Sequence, residues 1–258
     1  FEDNGSYDTT REKNLTLNGV AYKVLRILAD NGDSLSNTFH IKLDNNGNYV
    51  FDIEPGFTLN RFKADIYGHA LIDDLTEDEA AASAEDIMSY LSGSKGFSIV
   101  LYGDNAYTTE ELKKYGLPEE LTRQEVLDIA IMRYELSTNS FQKYMAVTIA
   151  TNVSERTVAA IKENSADLPG VNISDDTTRV YKNSKYFAHI LGYTGAVTTE
   201  RLEELKQKDP NTDYTTSDQI GISGLESSCE NYLKGKKGSE TLSINSGTSR
   251  VLDVTKKS

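Results

Sequence analysis

The order of apolar and polar positions divides the chain into blocks of different period. Between Leu15 and Ala29, apolar residues recur at Leu17, Val20, Val24, Leu25, Ile27 and Leu28. That spacing predicts an amphipathic helix stopping near Asn31-Gly32. The period then falls to two. Phe39, Ile41 and Leu43 alternate with polar neighbours, as do Tyr49, Phe51 and Ile53, and Asn46-Gly47 lies between the runs. This is the pattern of a β-hairpin closed by a tight turn. Thr76-x-x-Glu79, Thr108-x-x-Glu111 and Thr122-x-x-Glu125 come next. Each predicts a helix start, because the Thr oxygen and the Glu carboxylate can satisfy two otherwise orphaned N–H groups. The first of these helices is expected to reach about Leu91 and the second to stop at Gly116. The third should carry Val126, Ile129, Ala130, Arg133 and Tyr134 on one side.

Alternation returns from Lys143 to Thr151 and predicts a strand there. Ser154 caps an expected helix through Asn164, with Val158 and Ile161 inward, and Leu168-Pro169-Gly170 leads into an expected strand Val171–Ser174. Arg179–Tyr181 and Phe187–Tyr193 read as further strands, Thr198/Thr199 as the start of a helix to Lys206, and Asp209–Ser217 as a polar loop. A helix over 224–233 and a hairpin of Glu240–Ile244 with Arg250–Val254, turned at Asn245–Thr248, complete the pattern. The fold class is α+β, with mixed strands and helices and a helix-rich inserted subdomain. Three parts are expected: 1–56, an N-terminal strand, helix and hairpin; 57–138, the helix-rich insertion; and 139–258, the core of the domain with R-x-Y and G-x-x-G-x-E.

Composition narrows the function. The chain has 258 residues, 38% hydrophobic and 26% charged, which suits a folded globular protein. Its formal net charge of −13 argues against a nucleic-acid surface and against peripheral binding to anionic lipid. The single cysteine, Cys229, sits on a predicted helix face and reads as a small apolar residue rather than a reactive thiol. No run approaches the ~18 apolar residues of a membrane-crossing helix. The chain opens at Phe1-Glu2-Asp3 without a methionine or signal peptide, so a processed or truncated chain is expected.

The stretch from Thr178 to Gly238 holds the residue types with the most specific backbone demands. Gly221-x-x-Gly224-x-Glu226 precedes an amphipathic helix carrying Leu225, Cys229, Tyr232 and Leu233. The first glycine allows a positive φ or a close backbone approach, and the second suits a tight helix entry. Glu226 then falls in the first turn, at the positive end of the helix dipole. A carboxylate there can receive a bidentate arginine, and Arg179, next to Tyr181 in T-R-V-Y-K, is the candidate.

This combination resembles the N-terminal, non-catalytic domain of class B penicillin-binding proteins. That family carries R-x-Y-P, an H-I-L-G-Y-x-G-like segment and G-x-x-G-[ILV]-E in this order. The resemblance covers roughly Tyr144 to Thr255, including V-T-I-A-T-N-V-S-E (Val147 to Glu155) and L-P-G-V-N-I (Leu168 to Ile173). Lys182 departs from the pattern, standing where the family has proline. The resemblance implies a dimerisation or pedestal domain on the extracytoplasmic face of the bacterial cytoplasmic membrane. It implies a membrane anchor before the domain and a peptidoglycan-cross-linking transpeptidase domain after it. Implied partners are that transpeptidase domain, a membrane-embedded glycan polymerase of the cell-wall machinery, and a second copy of the chain. Arg179, Tyr181, Gly221, Gly224 and Glu226 would then be structural or interdomain residues, with no cofactor. As a surface ion pair, Arg179 and Glu226 would contribute under about 1 kcal/mol. As a buried pair, loss of one partner would cost about 3–5 kcal/mol.

Transpeptidases of the family use S-x-x-K, S-x-N and K-[ST]-G with serine as nucleophile. Ser92–Lys95 and Ser140–Lys143 match the first string, and Ser137-Thr138-Asn139 and Ser243-Ile244-Asn245 the second, but no K-[ST]-G occurs. The chain is therefore not expected to be an enzyme. His40, His69 and His189 are scattered, and His40 and His189 read as structural residues in strands. Asp44-x-Asn46-x-Asn48 begins like a calcium loop but has Tyr49 and Pro55 where Gly and Glu belong, so a hairpin turn explains it better. The acidic run Asp73, Asp74, Glu77, Asp78, Glu79 reads as a solvated helix start. The sequons at Asn4, Asn14, Asn152 and Asn172 carry little weight in an Asn-rich chain, and Gly235–Gly238 reads as a turn. A free-standing extracytoplasmic binding module, such as a lipoprotein using 57–138 to hold a ligand, is the alternative of a different class. A small enzyme with an unrecognised site is the third.

Overall fold

The computed structural model describes residues 1–3, 5–36, 39–138, 146–175, 180–181, 184–210, 212–215, 218–244 and 251–257. The described residues form two compact units, 1–174, and 175–244 with 251–257. Among the described residues, no helix is long and apolar enough to cross a membrane.

The first unit is built on two helices. Helix α1 (Thr10–Asp30) starts at Thr9, whose side chain accepts from the Glu12 N–H. Its buried face of Leu17, Val20, Ala21, Val24 and Leu28 shares one core with Val126, Ile129, Ala130 and Met132 of helix α6 (Arg123–Thr138). Strands β1 (Ile41–Leu43) and β2 (Tyr49–Phe51) form the expected antiparallel hairpin, with Ile41 opposite Phe51 and Leu43 opposite Tyr49. Its turn is held by Asp44, whose Oδ1 accepts from the Asn46 and Asn48 N–H groups at 2.8 Å each. Those bonds are what the calcium-like spelling encodes, and they hold the Asp44 carboxyl below its ordinary range. Helix α2 (Phe57–Tyr67) follows, with no side-chain cap at its start, which is why no capping signal announces it.

The single helix expected from Thr76 to Leu91 is two. Helix α3 (Glu77–Ala81) has the Thr76–Glu79 capping box, and helix α4 (Ala84–Ser92) has its own, Ser83–Asp86. Ser83 adopts an extended conformation so that its hydroxyl can accept from the Asp86 N–H, which ends the first helix and begins the second. Helix α5 (Thr109–Tyr115) starts at the Thr108–Glu111 box and stops at left-handed Gly116, as the spacing predicts. Helix α7 (Glu155–Glu163) is capped by Ser154 and buries Thr157 and Ile161 rather than Val158, which is half-buried. Asp33, beyond the end of α1, accepts from the Ser154 N–H, the Ser154 hydroxyl and the Thr157 hydroxyl at 3.0, 2.9 and 2.5 Å. This carboxylate joins two helices and is held below its ordinary pKa, first by the Thr157 hydroxyl.

The expected strand over Lys143–Thr151 is absent where it is described. Residues 146–150 are irregular, and Val147 exchanges two backbone bonds with Phe1, at 2.8 and 2.7 Å. Alternation makes a strand only where a neighbour continues the ladder, and here the next bond, from the Glu2 N–H, goes to Gly170 instead. Residues 171–174 are likewise irregular rather than a strand, with a turn bond from the Val171 N–H to the Leu168 carbonyl.

A buried polar knot lies beside the α1–α6 core. Arg133, 5% exposed, donates to Asn18 Oδ1 at 2.5 Å and Asn14 Oδ1 at 2.9 Å, and its guanidinium stands 5.0 Å from the Phe97 ring centroid. Asn18 donates in turn to the Phe97 and Ser98 carbonyls. Burial lowers the Arg133 pKa to about 10, so it stays cationic and is solvated by amide oxygens instead of water. Asn14 is thus a buried hydrogen-bonding residue, which explains its sequon without glycosylation.

In the second unit, helix α8 (Ser184–Leu191) precedes strand β3 (Thr194–Ala196) and helix α9 (Thr199–Lys208). Strand β4 (Gln219–Gly221), helices α10 (Gly224–Ser228) and α11 (Glu230–Leu233), and strands β5 (Ser239–Ile244) and β6 (Val251–Lys257) follow. The expected strand Phe187–Tyr193 is therefore a helix, and His189 lies in it. Phe187, Ile190 and Leu191 satisfy a helical period as well as an alternating one, and a short apolar run cannot decide between them. Val180 and Tyr181 are irregular, and Arg179 lies outside the described residues. The helix expected over 224–233 is interrupted at Cys229. Strands β5 and β6 pair antiparallel from Ser239–Lys257 to Ile244–Val251, and the turn expected between them lies outside the described residues.

Candidate functional site

The G-x-x-G-x-E residues meet in the second unit, where a two-stranded ribbon turns into a helix. Strands β3 and β4 pair antiparallel, Thr194 opposite Gly221 and Ala196 opposite Gln219. Outside the paired residues, the Ile222 N–H donates to the Tyr193 carbonyl at 2.9 Å and the Val197 N–H to the Asp218 carbonyl at 3.0 Å. The ribbon thus brings Gly192, at the end of α8, against the entry to α10.

Two glycines are required there for different reasons. A Cβ on Gly221 would stand 2.2 Å from the Glu226 carbonyl oxygen and 2.6 Å from the Ser227 nitrogen, so the strand touches the first turn of α10 through backbone alone. Gly224 has φ +61°, and a Cβ on it would lie 2.6 Å from both the Gly192 nitrogen and the Ile190 carbonyl oxygen. Both neighbours are backbone and cannot rotate away.

Glu226 falls in the first turn of α10 and is 6% exposed. A carboxylate this deep requires compensation, and the helix N-terminus supplies part of it. The Tyr181 hydroxyl is buried, with no hydrogen-bond partner among the described residues. The role of Arg179 beside these residues falls outside the described part of the chain.

Sequence reasoning missed the carboxylate that ties this junction together. Glu230, at the start of α11, accepts from the Gly221 N–H at 2.8 Å through Oε2 and from the Tyr214 hydroxyl through Oε1. Burial, then the Glu230 bond, pushes the Tyr214 phenol above its ordinary pKa. Lys234 stands 4.7 Å from the Tyr214 ring and 3.1 Å from Asp213 Oδ1, while Lys237 pairs with Asp218. The loop expected to be merely polar is therefore pinned on both sides. The one available signal was that Glu230 follows Glu226 by one helical turn.

Of the two serine-lysine strings, only Ser92–Lys95 lies among the described residues. Ser92 ends α4 and Lys95 is exposed beyond it, while Ser140–Lys143 lies outside the described residues. His40 Nδ1 lies 3.2 Å from Asp52 and His69 Nε2 2.9 Å from Glu79, on separate carboxylates. Among the described residues no cluster of metal-ligating side chains occurs. What the junction can do chemically is hold backbone segments in one geometry.

The chain matches the family described as Penicillin-binding Protein dimerisation domain over residues 9–258. It is 32% identical over 123 residues to a peptidoglycan D,D-transpeptidase MrdA of Acinetobacter baumannii, covering 48% of this chain and 17% of that protein. It is 24% identical over 247 residues to penicillin-binding protein 3 of Bacillus subtilis, covering 91% of this chain and 34% of that one. Among solved structures, penicillin-binding protein 2B of Streptococcus pneumoniae aligns over the whole chain and 34% of its own length, with 17% identity and a TM-score of 0.43. The chain thus spans about a third or less of the length of the relatives it matches. With its residues matched almost from end to end, this chain belongs to the penicillin-binding protein dimerisation domain family.

Proposed function

We propose that this chain is the non-catalytic pedestal of a class B penicillin-binding protein, positioning a transpeptidase domain that cross-links peptidoglycan on the outer face of the cytoplasmic membrane. The observation that carries this reading is the family match over residues 9–258, a dimerisation domain and not a catalytic one. The backbone-packed junction of β4 and α10 supports a role in fixing geometry. Exposed Tyr186, Phe187, Ile190 and Tyr193 on and after α8 support a contact surface in the second unit, for the transpeptidase domain, a second copy or a glycan polymerase of the wall machinery. In the same reading Arg179 and Glu226 form a buried structural pair and 57–138 is the family's variable insertion.

The test is fluorescent-penicillin labelling of this chain beside a full-length protein that contains it. Label on the full-length protein alone is expected. Label on this chain would make one of its serines a nucleophile and end the reading. For the pair, Arg179→Ala and Glu226→Ala should each cost about 3–5 kcal/mol, with the double variant losing less than the sum. Small, additive losses would return it to the surface.

A further inference from the structure

The first unit holds a cleft of about 570 Å³ that the pedestal reading does not use. Its apolar lining includes Met88, Ile99, Leu101, Leu117 and Val126, on α4, the segment after it, the residues just past α5, and α6. The volume is that of an ordinary small-ligand site, and the mix of apolar floor and polar rim is what such sites show.

The rim carries hydrogen-bonding groups with spare capacity. Glu85 accepts from the Tyr49 N–H at 2.9 Å and from Arg123, both through Oε1, so Oε2 has no protein donor among the described residues. Arg123, which also lines the cleft, has its guanidinium carbon 4.0 Å from the Tyr49 ring centroid. Ser89, Ser92 and Tyr102 line the same cleft and bring hydroxyl groups to it. Tyr102 is 83% exposed, an aromatic ring left in water beside an apolar floor. Tyr107, by contrast, spends its hydroxyl on the Ser98 carbonyl and serves the wall.

The charge of the cleft narrows the ligand. Three glutamates, Glu85, Glu119 and Glu120, line the cleft with a single arginine, Arg123, which is paired with Glu85, within a chain of net charge −13. A phosphate or a carboxylate-rich ligand would be repelled. A neutral ring with one apolar face and a border of donors and acceptors fits instead: its face on Tyr102, its hydroxyls on the serines and Arg123. An acetamido group suits the remainder, its N–H donating to Glu85 Oε2 and its methyl resting on the floor.

We propose that this cleft binds an N-acetylated amino-sugar oligosaccharide of the length of a few pyranose rings. The choice of that sugar over other neutral ones rests also on the cell-wall reading above. The experiment is isotope-edited NMR of the 258-residue chain titrated with N,N′,N″-triacetylchitotriose, with maltotriose as the sugar lacking acetamido groups. Saturable shifts are expected at residues of the cleft, with a Kd in the range of about 0.1–10 mM. Tyr102→Ala and Glu85→Gln should each weaken binding by about tenfold, the worth of one lost ring contact or hydrogen bond. Tyr102 is exposed enough that its variant keeps the fold, and Ser89→Ala is a second exposed variant expected to weaken binding by about threefold. No saturation, shifts elsewhere, or affinity unchanged by Tyr102→Ala would overturn the proposal. Equal binding of maltotriose would overturn the acetamido assignment. Penicillin labelling is read independently, so failure of the cleft leaves the pedestal reading standing and the reverse also holds.

Discussion

In the first unit the organising side chains face one another, whereas in the second they mostly face water. Ile87, Ile129 and Met132 are sealed from solvent in a core that draws on α1, α4, α6 and the hairpin. Among the residues of the second unit whose side chains are described, which excludes nearly all of β5 and β6, the buried apolar ones are Val197 and Ile220, while Val180, Tyr186, Phe187, Ile190, Tyr193, Ile222, Leu225, Tyr232 and Leu233 are exposed. Apolar burial, at ~25 cal/mol per Å², is the plain support of the first unit, and the second shows less of it among the side chains that are described. The second unit relies on backbone contact across Gly221 and Gly224, on the β3–β4 ribbon and on the Glu230–Tyr214 tie. The difference teaches where tolerance lies. A core absorbs a change of shape by repacking, but two backbones at contact distance have nothing to repack.

The largest effect should come from the core. Ile129→Ala should cost about 2–5 kcal/mol, because a fully buried side chain leaves a cavity as well as losing its transfer energy. Denaturant unfolding followed at amides of 10–138 should show it, with the amides of 192–226 little changed. Loss of both sets together would mean that the contrast between the units is false.

Gly221→Ala should come next, costing about 1–3 kcal/mol or more through the overlap with the Glu226 carbonyl. The comparison is Gly235→Ala, at φ +68° with nothing within 4 Å of the added Cβ, which should cost only the left-handed penalty of about 1–2 kcal/mol. Melting both variants tests the claim, and an equal or larger loss at Gly235 would sink the close-approach argument.

Ser83→Ala should cost about 1 kcal/mol, the value of one N-cap, and should fray the start of α4. Hydrogen exchange at the Asp86 amide reads this directly, since that N–H would lose its acceptor. Unchanged protection would mean that the break between α3 and α4 has another cause.

The smallest effect is a pH dependence. Two bonds from Arg11, both at 2.7 Å, hold the Glu111 pKa down to about 2 from an ordinary 4.5. A depressed carboxylate contributes stability that is fully present above its unfolded pKa and is lost as pH falls through the folded one. Glu111→Gln should therefore lower stability at neutral pH, and the gap to the parent should close between about pH 5 and pH 2. The pair is half-exposed, so solvent screening keeps the gap modest. A gap independent of pH would remove the ion pair from the account.

Much of the first unit was legible because its signals are local. The α1 stripe, the Asn46-Gly47 hairpin and the boxes at Thr108 and Thr122 each depend on residues within a few positions of one another, and each appears where the spacing puts it. Ser83 was missed although its box is equally local, because the capping pattern at Thr76 led into an apolar run that one helix could also explain. In the second unit, α8 passed for a strand because a short apolar run fits both periods. The glycines were legible as a demand on the backbone, while Glu230, which bonds across the junction, carried only its one-turn spacing from Glu226, a weak signal.

What the sequence determined alone was the capped helix starts at Thr76, Thr108, Thr122, Ser154 and Thr198, the one clear turn, the net negative charge and the motif order that marks the family. Those follow from interactions between near neighbours, or from composition. Only the tertiary structure decided that the alternating stretch around Val147 forms no ladder, that Asn14 and Asn18 solvate a buried Arg133, and that Gly221 lies against Glu226. In each case the deciding partner is remote in sequence or is a backbone atom, and neither leaves a trace in the local order of side chains.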